Sequence, residues 1–185
     1  MTIPLQVHSG DRFMRDLFAE VYNEETGYST VFRPQGGYWL SEYMTDDDYP
    51  SPWLHFIYNN PDMIKYHSRP YYSIYRITED AKIYTINTYT DFVNLIVNYP
   101  LRIEGSIFID FEKLSKDYDG VHLTSEGFEN CSIAHMQILD DLQFDGGNTP
   151  TLRSWEVPSF LVMNPDILLY LDEKENERYE EDEGL

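Results

Sequence analysis

The sequence feature that most constrains the fold is a strand-forming segment close to the end of the chain. It covers residues 155–163 and consists mainly of aromatic and aliphatic residues, which are enriched in strands. Asn164 and Pro165 follow directly, and a proline cannot donate a hydrogen bond to a β-ladder. The pattern therefore predicts a buried strand that stops at this pair, with the carboxylate of Glu156 near its beginning.

Short strand patterns recur along the chain and alternate with helical patterns. Alternating or continuous apolar residues predict strands at 2–8, 38–41, 71–78, 82–87, 107–109 and 121–124. Helical spacing predicts helices from residue 13 to before Gly27, after a cap at Ser51, after a cap at Thr90, at 110–116 and across 133–142. Strands interspersed with helices predict an α+β fold, in which section 125–150 is inserted between two strands.

The net charge of the chain is strongly negative, and acidic residues are concentrated towards the C-terminus. The formal net charge is −20, and the residues from Asp172 onward hold eight acids against Lys174 and Arg178, which leaves −14 on residues 1–171. We therefore predict a single domain at 1–171 and an acidic, flexible tail at 172–185. Such a charge repels phosphate backbones, so a nucleic-acid partner is disfavoured, whereas a basic protein partner is favoured.

Compartment and metal content are also constrained by the sequence. The single cysteine, Cys131, cannot form an internal disulfide, which fits a reducing compartment. The first residues lack the pattern of a signal peptide, and no stretch approaches the roughly 20 apolar residues of a membrane span. The histidines have no partner at ligand spacing. We predict a soluble, cytoplasmic protein without a metal site and without a membrane partner.

Five short motifs follow one another in a definite order. They are His8-Ser9-Gly10, residues 37–41, Ser51-Pro52-Trp53, residues 118–121 and residues 155–167. In this order the series resembles the ADP-ribosyltransferase fold family, on the diphtheria-toxin and poly-ADP-ribose-polymerase side with its His–Tyr–Glu pattern. The resemblance spans most of the chain and depends on the order and spacing of the motifs, because none of them is specific alone.

The resemblance implies a fold, a substrate and roles for several residues. It implies a split β-sheet core with flanking helices, and NAD as the substrate. His8, with Ser9 and Gly10 beside it, would hold ribose hydroxyls. Tyr38 would stack on nicotinamide, where an electron-rich ring attracts a cationic pyridinium, and Ser41 would help to form the nicotinamide pocket.

The catalytic carboxylate is the point at which this sequence departs from the family. Counted back from Asn164-Pro165, the family's glutamate falls at Ser159 or Pro158, so Ser159 would line the site without supplying an acid. Glu156 is the candidate acid, acting with His8, but strand alternation turns it away from the face of Ser159. Either Pro158 marks a bulge that resets this register, or the fold persists without the activity.

Two functions from different classes follow from these observations. One is an NAD-dependent ADP-ribosyltransferase-like enzyme, which cleaves the nicotinamide–ribose bond and transfers ADP-ribose to an unidentified protein or small-molecule acceptor. The other is an acidic interaction protein, such as an inhibitor, an immunity protein or a nucleic-acid mimic, that binds a basic partner without catalysis. Replacing Glu156 by glutamine separates the two, because only the enzyme loses turnover.

Overall fold

A computed structural model describes residues 3–10, 12–24, 32–45, 48–144 and 149–179. These residues form nine strands: β1 (Gln6–Ser9), β2 (Tyr38–Glu42), β3 (Tyr71–Ile77), β4 (Ile83–Ile86), β5 (Pro100–Ile103), β6 (Ser106–Ile109), β7 (Gly120–Leu123), β8 (Ser159–Val162) and β9 (Leu168–Glu175). They also form six α-helices: α1 (Pro52–Tyr58), α2 (Pro61–His67), α3 (Tyr89–Asn98), α4 (Phe111–Leu114), α5 (Ser125–Cys131) and α6 (Met136–Asp141). The chain is therefore α+β, as predicted.

Seven of the strands form one mixed sheet in the order β4-β7-β8-β2-β1-β3-β9. β4 and β7 are parallel, and every other neighbouring pair in this sheet is antiparallel. β5 and β6 form a separate antiparallel pair. The main hydrophobic core contains the fully buried face of α3, whose side chains Phe92, Leu95 and Ile96 have no exposed surface.

The sheet opens in its middle, between β1 and β2. These strands pair at only two positions, Gln6 with Glu42 and Val7 with Ser41. Beyond Val7 the ladder stops, and the His8 ring takes the place of a backbone group: its Nδ1 lies 3.0 Å from the carbonyl oxygen of Trp39. The divergence of the two strands leaves a cleft on the surface of the sheet.

The predicted helix from residue 13 is wrong. The segment contains only a 3₁₀ turn, Arg15–Leu17, and Leu17 is 73% exposed. The apolar spacing is helical, but the backbone is held in another way, because the amide of Phe13 donates to Tyr75 Oη at 2.7 Å. The expected helix end before Gly27 lies outside the described residues.

The predicted helix cap at Thr90 is two residues too late. α3 begins after Thr88, whose hydroxyl accepts from the Asp91 amide at 3.2 Å, while the Asp91 carboxylate accepts from the Thr88 amide at 2.9 Å. This reciprocal capping box satisfies two amides that an isolated helix end leaves unpaired. The cap at Ser51 is confirmed, since its hydroxyl accepts from the Leu54 amide at 3.2 Å.

The strand predicted over 155–163 begins later than expected. Residues Arg153–Trp155 form a 3₁₀ turn, Glu156 has a φ of 66°, and β8 begins only at Ser159. Alternation from Trp155 to Ser159 therefore does not apply, and Glu156 lies in a turn. The predicted stop is confirmed, because the Asn164 side chain accepts from the Asp166 amide at 3.1 Å and closes the strand with a 3₁₀ turn.

The predicted tail starts too early. Residues 172–175 belong to β9 and each pairs with a residue of β3, and the amide of Asn176 donates to the Pro70 carbonyl at 2.8 Å. Residues 180–185 lie outside the described part of the chain. The sequence pattern also missed α2, β5, α5 and β9. None of the helices among the described residues is long and apolar enough to cross a membrane.

Candidate functional site

A cavity of about 200 Å³ lies where β1 and β2 diverge. Besides the aliphatic side chains of Val7, Leu40 and Val157, three kinds of side chain line it. The side chains with hydroxyls are those of Ser9, Ser41 and Ser159. The aromatic side chains are those of Trp39, Trp53 and Trp155, and the basic side chains are those of His8, Arg33, His67 and Arg69. Predicted site residues His8, Ser9, Ser41 and Ser159 therefore lie together, although they come from three strands and opposite ends of the sequence.

The three serines line the cavity, but their hydroxyls differ in their bonding. Ser41 Oγ donates to the Pro158 carbonyl at 3.2 Å, and Ser159 Oγ donates to the Val157 carbonyl at 2.9 Å. Ser9 Oγ is buried and has no hydrogen-bond partner. A buried polar group without a partner costs about 1–3 kcal/mol, so the Ser9 hydroxyl is an unfavourable contact at the cavity wall.

His8 has a defined tautomer in its neutral form. Its Nδ1 faces the Trp39 carbonyl oxygen at 3.0 Å, and a carbonyl can only accept. Nδ1 therefore carries the hydrogen, and Nε2 is the acceptor nitrogen of the neutral ring. Gly10, with a φ of 129°, leaves room beside this nitrogen, because an added Cβ there would lie 3.4 Å from Nε2. An acceptor nitrogen is suited to the hydroxyl of a sugar.

Tyr38 does not line the cavity. Side chains alternate along β2, so Tyr38 and Trp39 point to opposite faces. The Tyr38 ring stacks on His8 at a centroid distance of 4.2 Å and meets Phe13 edge-on at 4.9 Å. Tyr38 supports the His8 ring from behind, and the cavity ring on β2 is Trp39.

The aromatic walls of the cavity are the three tryptophans of the chain. Trp39 and Trp155 meet edge-to-face at 4.9 Å, and the indole nitrogen of buried Trp155 donates to the Phe32 carbonyl. Sequence reasoning missed them as cavity residues. Each tryptophan lies within one of the ordered motifs, and this shared feature is a signal that could have found them.

The basic side chains at the cavity are unusual for so acidic a chain. The sequence has 33 acidic residues against 13 Lys and Arg, yet no aspartate or glutamate is among the described residues that line the cavity. Arg33 lies over the Trp39 ring at 5.0 Å, and Arg69 is exposed at the opening. A local excess of cationic groups favours an anionic ligand. Sequence reasoning missed Arg33 and Arg69, which lie in connecting segments.

Glu156 stands behind Arg33 and outside the cavity lining. Its Oε2 lies 3.3 Å from Arg33 Nη1, and both side chains are about one-third exposed. The carboxylate instead borders a shallow surface depression together with Phe56 and Phe128. The predicted catalytic acid is therefore near the cavity, but an ion pair separates it from the space where a ligand would lie.

Comparisons with protein-family models, with curated proteins and with solved structures found no match. Among the described residues, no three histidine, cysteine, aspartate or glutamate side chains are placed to hold a metal ion. The arrangement is thus suited to binding a ligand that combines a ring, hydroxyl groups and negative charge. Within the described lining, no carboxylate or thiol is placed to attack such a ligand directly.

Proposed function

We propose that this chain is an ADP-ribosyltransferase-like protein whose cavity binds the nicotinamide end of NAD. The observation that carries the proposal is a cavity with indole walls, serine hydroxyls and basic side chains, but no lining carboxylate among the described residues, in a chain of net charge −20. NAD combines an aromatic ring, ribose hydroxyls and a diphosphate. The order of motifs that resembles the family favours NAD over other nucleotides.

The dimensions of the cavity fit part of the dinucleotide. Pockets that enclose a drug-sized ligand measure roughly 300–1,000 Å³, so about 200 Å³ accommodates the nicotinamide and its ribose but not all of NAD. The indole faces suit the cationic nicotinamide ring. Arg69 is exposed, so its guanidinium can reach a diphosphate outside the opening, and guanidinium–phosphate pairs are strong hydrogen-bonded contacts.

The ribose would lie against His8 and Ser9. Both residues line the cavity, and the His8 ring is oriented by its Nδ1, which lies 3.0 Å from the Trp39 carbonyl oxygen. Ribose hydroxyls would bond to these two side chains. The stacking of Tyr38 on His8 fixes the plane of the imidazole, which limits the conformational freedom lost when a ligand binds.

Transfer of ADP-ribose breaks the bond between ribose C1′ and the nicotinamide nitrogen, and its electron pair leaves with nicotinamide. The acceptor then bonds to C1′ and loses a proton. Positive charge develops on the ribose, where a nearby carboxylate is stabilising. Glu156 is the candidate acid, and it must first part from Arg33.

Titration calorimetry with NAD tests the binding step. Replacing Arg69 by glutamine removes a charge-assisted hydrogen bond worth about 1.5–3 kcal/mol, so NAD affinity should fall by about 10- to 100-fold. The matched control is Arg102→Gln, an exposed arginine on β5 that does not line the cavity. If the folded wild-type protein shows no binding at millimolar NAD, the proposal is wrong.

Proton NMR of the same mixtures tests the transfer step, because free nicotinamide has distinct ring signals. We expect nicotinamide release by the wild-type protein and little or none by Glu156→Gln, with NAD affinity retained in the variant. If both proteins bind NAD and neither releases nicotinamide, the transfer step is refuted and the chain is an NAD-binding module.

A further inference from the structure

β9 is the last strand of the seven-stranded sheet, and no strand of the described chain pairs with its outer edge. Residues 169–175, seven of its eight, are exposed. A strand normally buries at least one face, so this strand lacks cover on both faces. Leu171 has no partner in β3, so the ladder between β9 and β3 is irregular at this position.

The first half of β9 exposes apolar side chains. Leu169 is 46% exposed, Tyr170 is 36% exposed and Leu171 is 42% exposed. Tyr170 is partly covered, because Arg12 lies over its ring at 3.9 Å. The two leucines are left as neighbouring apolar groups on an edge whose backbone groups pair with no other strand of the described chain. An uncovered edge of this kind can pair with a strand of another chain.

The second half of β9 exposes carboxylates, whereas its lysine contacts another part of the protein. Lys174 donates to Tyr43 Oη at 2.8 Å and lies over that ring, so its charge is directed onto the protein. Asp172, Glu173 and Glu175 are exposed and form no ion pair among the described residues. Beyond the strand, Arg178 lies over the Tyr49 ring at 4.4 Å. The free charge along this edge is therefore negative.

We propose that the outer edge of β9 binds an extended, cationic segment of a partner protein as an additional strand. The backbone groups of the edge supply the ladder, the two leucines supply apolar contact, and the carboxylates select lysine or arginine side chains at facing positions. A second copy of this chain is disfavoured as the occupant by the same charges, because antiparallel self-pairing centred on the acidic half of β9 places Asp172 and Glu173 against acidic residues of the copy. This site is independent of NAD binding.

Synthetic peptides test this site by fluorescence anisotropy. The probe is a labelled eight-residue peptide of alternating lysine and valine, compared with an alternating glutamate and valine peptide. A third peptide is the lysine form with two adjacent central amides N-methylated, which blocks both edges of a strand. We expect only the unmodified lysine peptide to bind well, with at least about tenfold weaker binding at high salt, and with the largest amide NMR shifts on β9.

Charge reversal provides the matched variants. Glu173→Lys with Glu175→Lys should weaken binding of the lysine peptide by at least about tenfold, since like charges on facing positions repel. Glu126→Lys with Glu129→Lys reverses two exposed acids on α5 and should leave binding unchanged. Equal loss in both pairs, or equal binding of the N-methylated peptide, would show a diffuse charge effect and overturn the proposal. So would a wild-type dimer in sedimentation that Leu169→Lys disrupts.

Discussion

Protonation of the buried His122 is expected to destabilise the fold as the solution becomes acidic. His122 lies on β7, between Thr85 of β4 and Phe160 of β8, and its side chain is only 8% exposed. Its ring contacts the Phe160 ring at a centroid distance of 5.6 Å. Burial disfavours the charged imidazolium and lowers the pKa of His122 from 6.5 to about 4.

The sign and size of the effect follow from the two pKa values. Above pH 6.5 the imidazole is neutral in both states, so its full contribution to stability is present. As the pH falls below 6.5, the unfolded chain takes up a proton while the folded chain does not, and the free energy of unfolding decreases. The loss is about 2 kcal/mol near pH 5 and about 3 kcal/mol near pH 4. Natural domains have a total stability of about 5–15 kcal/mol, so the loss is readily measured.

Urea unfolding of the wild-type protein and of His122→Phe is measured near pH 7 and near pH 5. The comparison separates the effect of His122 protonation on the free energy of unfolding from the effect of the titrating carboxylates, which both proteins share. The wild-type protein should lose about 2 kcal/mol more than the variant between the two conditions. His55→Gln, which alters an exposed histidine on α1, should behave as the wild type. Equal losses in the wild type and His122→Phe, or a pKa near 6.5 for His122 in an NMR titration of the folded protein, would refute the reasoning.

Three further substitutions probe contacts by urea unfolding. Trp155→Phe removes the donor to the buried Phe32 carbonyl, and we expect a loss of about 1–3 kcal/mol from that group alone. Gly127→Ala places a Cβ against the Ile86 carbonyl oxygen, so a loss of about 3 kcal/mol or more is expected. Thr88→Ala removes the cap of α3 and should cost about 1 kcal/mol.

Neighbouring residues serve as controls for these variants. Ser125→Ala, an exposed position on the same helix as Gly127, should have little effect. Thr90→Ala alters a residue in the first turn of α3, two positions after the cap. Because Thr90 does not cap the helix, this change should cost less than Thr88→Ala. The capping assignment is wrong if the two threonine variants lose the same stability. If Gly127→Ala has the same urea midpoint of unfolding as the wild-type protein, the close packing of Gly127 against Ile86 is refuted.

Features that depend on neighbouring residues could be predicted from the sequence. The Ser51 cap and the Asn164 turn are formed by side chains that bond amides two or three residues away. The helix expected from residue 13 fails for the opposite reason. Its apolar spacing is helical, but Phe13 is fixed by Tyr75, which lies 62 residues further along the chain.

In the candidate site, too, some features were predicted from the sequence and others depend on distant residues. Sequence motifs named His8, Ser41 and Ser159, which belong to three different strands and line one cavity. They named Tyr38 for the cavity ring, and strand alternation together with the contacts of Phe13 places Trp39 there instead. A one-residue shift along a strand exchanges the two faces of a sheet, and the sequence pattern alone did not fix which face opens.

The sequence by itself determined the α+β class, most strand positions and the group of strand-end polar residues, because these depend on local periodicity and on caps. Only the tertiary structure decided that β1 and β2 part after Val7, and that Arg33 and Arg69 approach the resulting cavity. It also decided that Glu156 turns away. Its positive φ follows a turn that is anchored by buried Trp155, and its carboxylate is held by an arginine more than a hundred residues earlier in the chain.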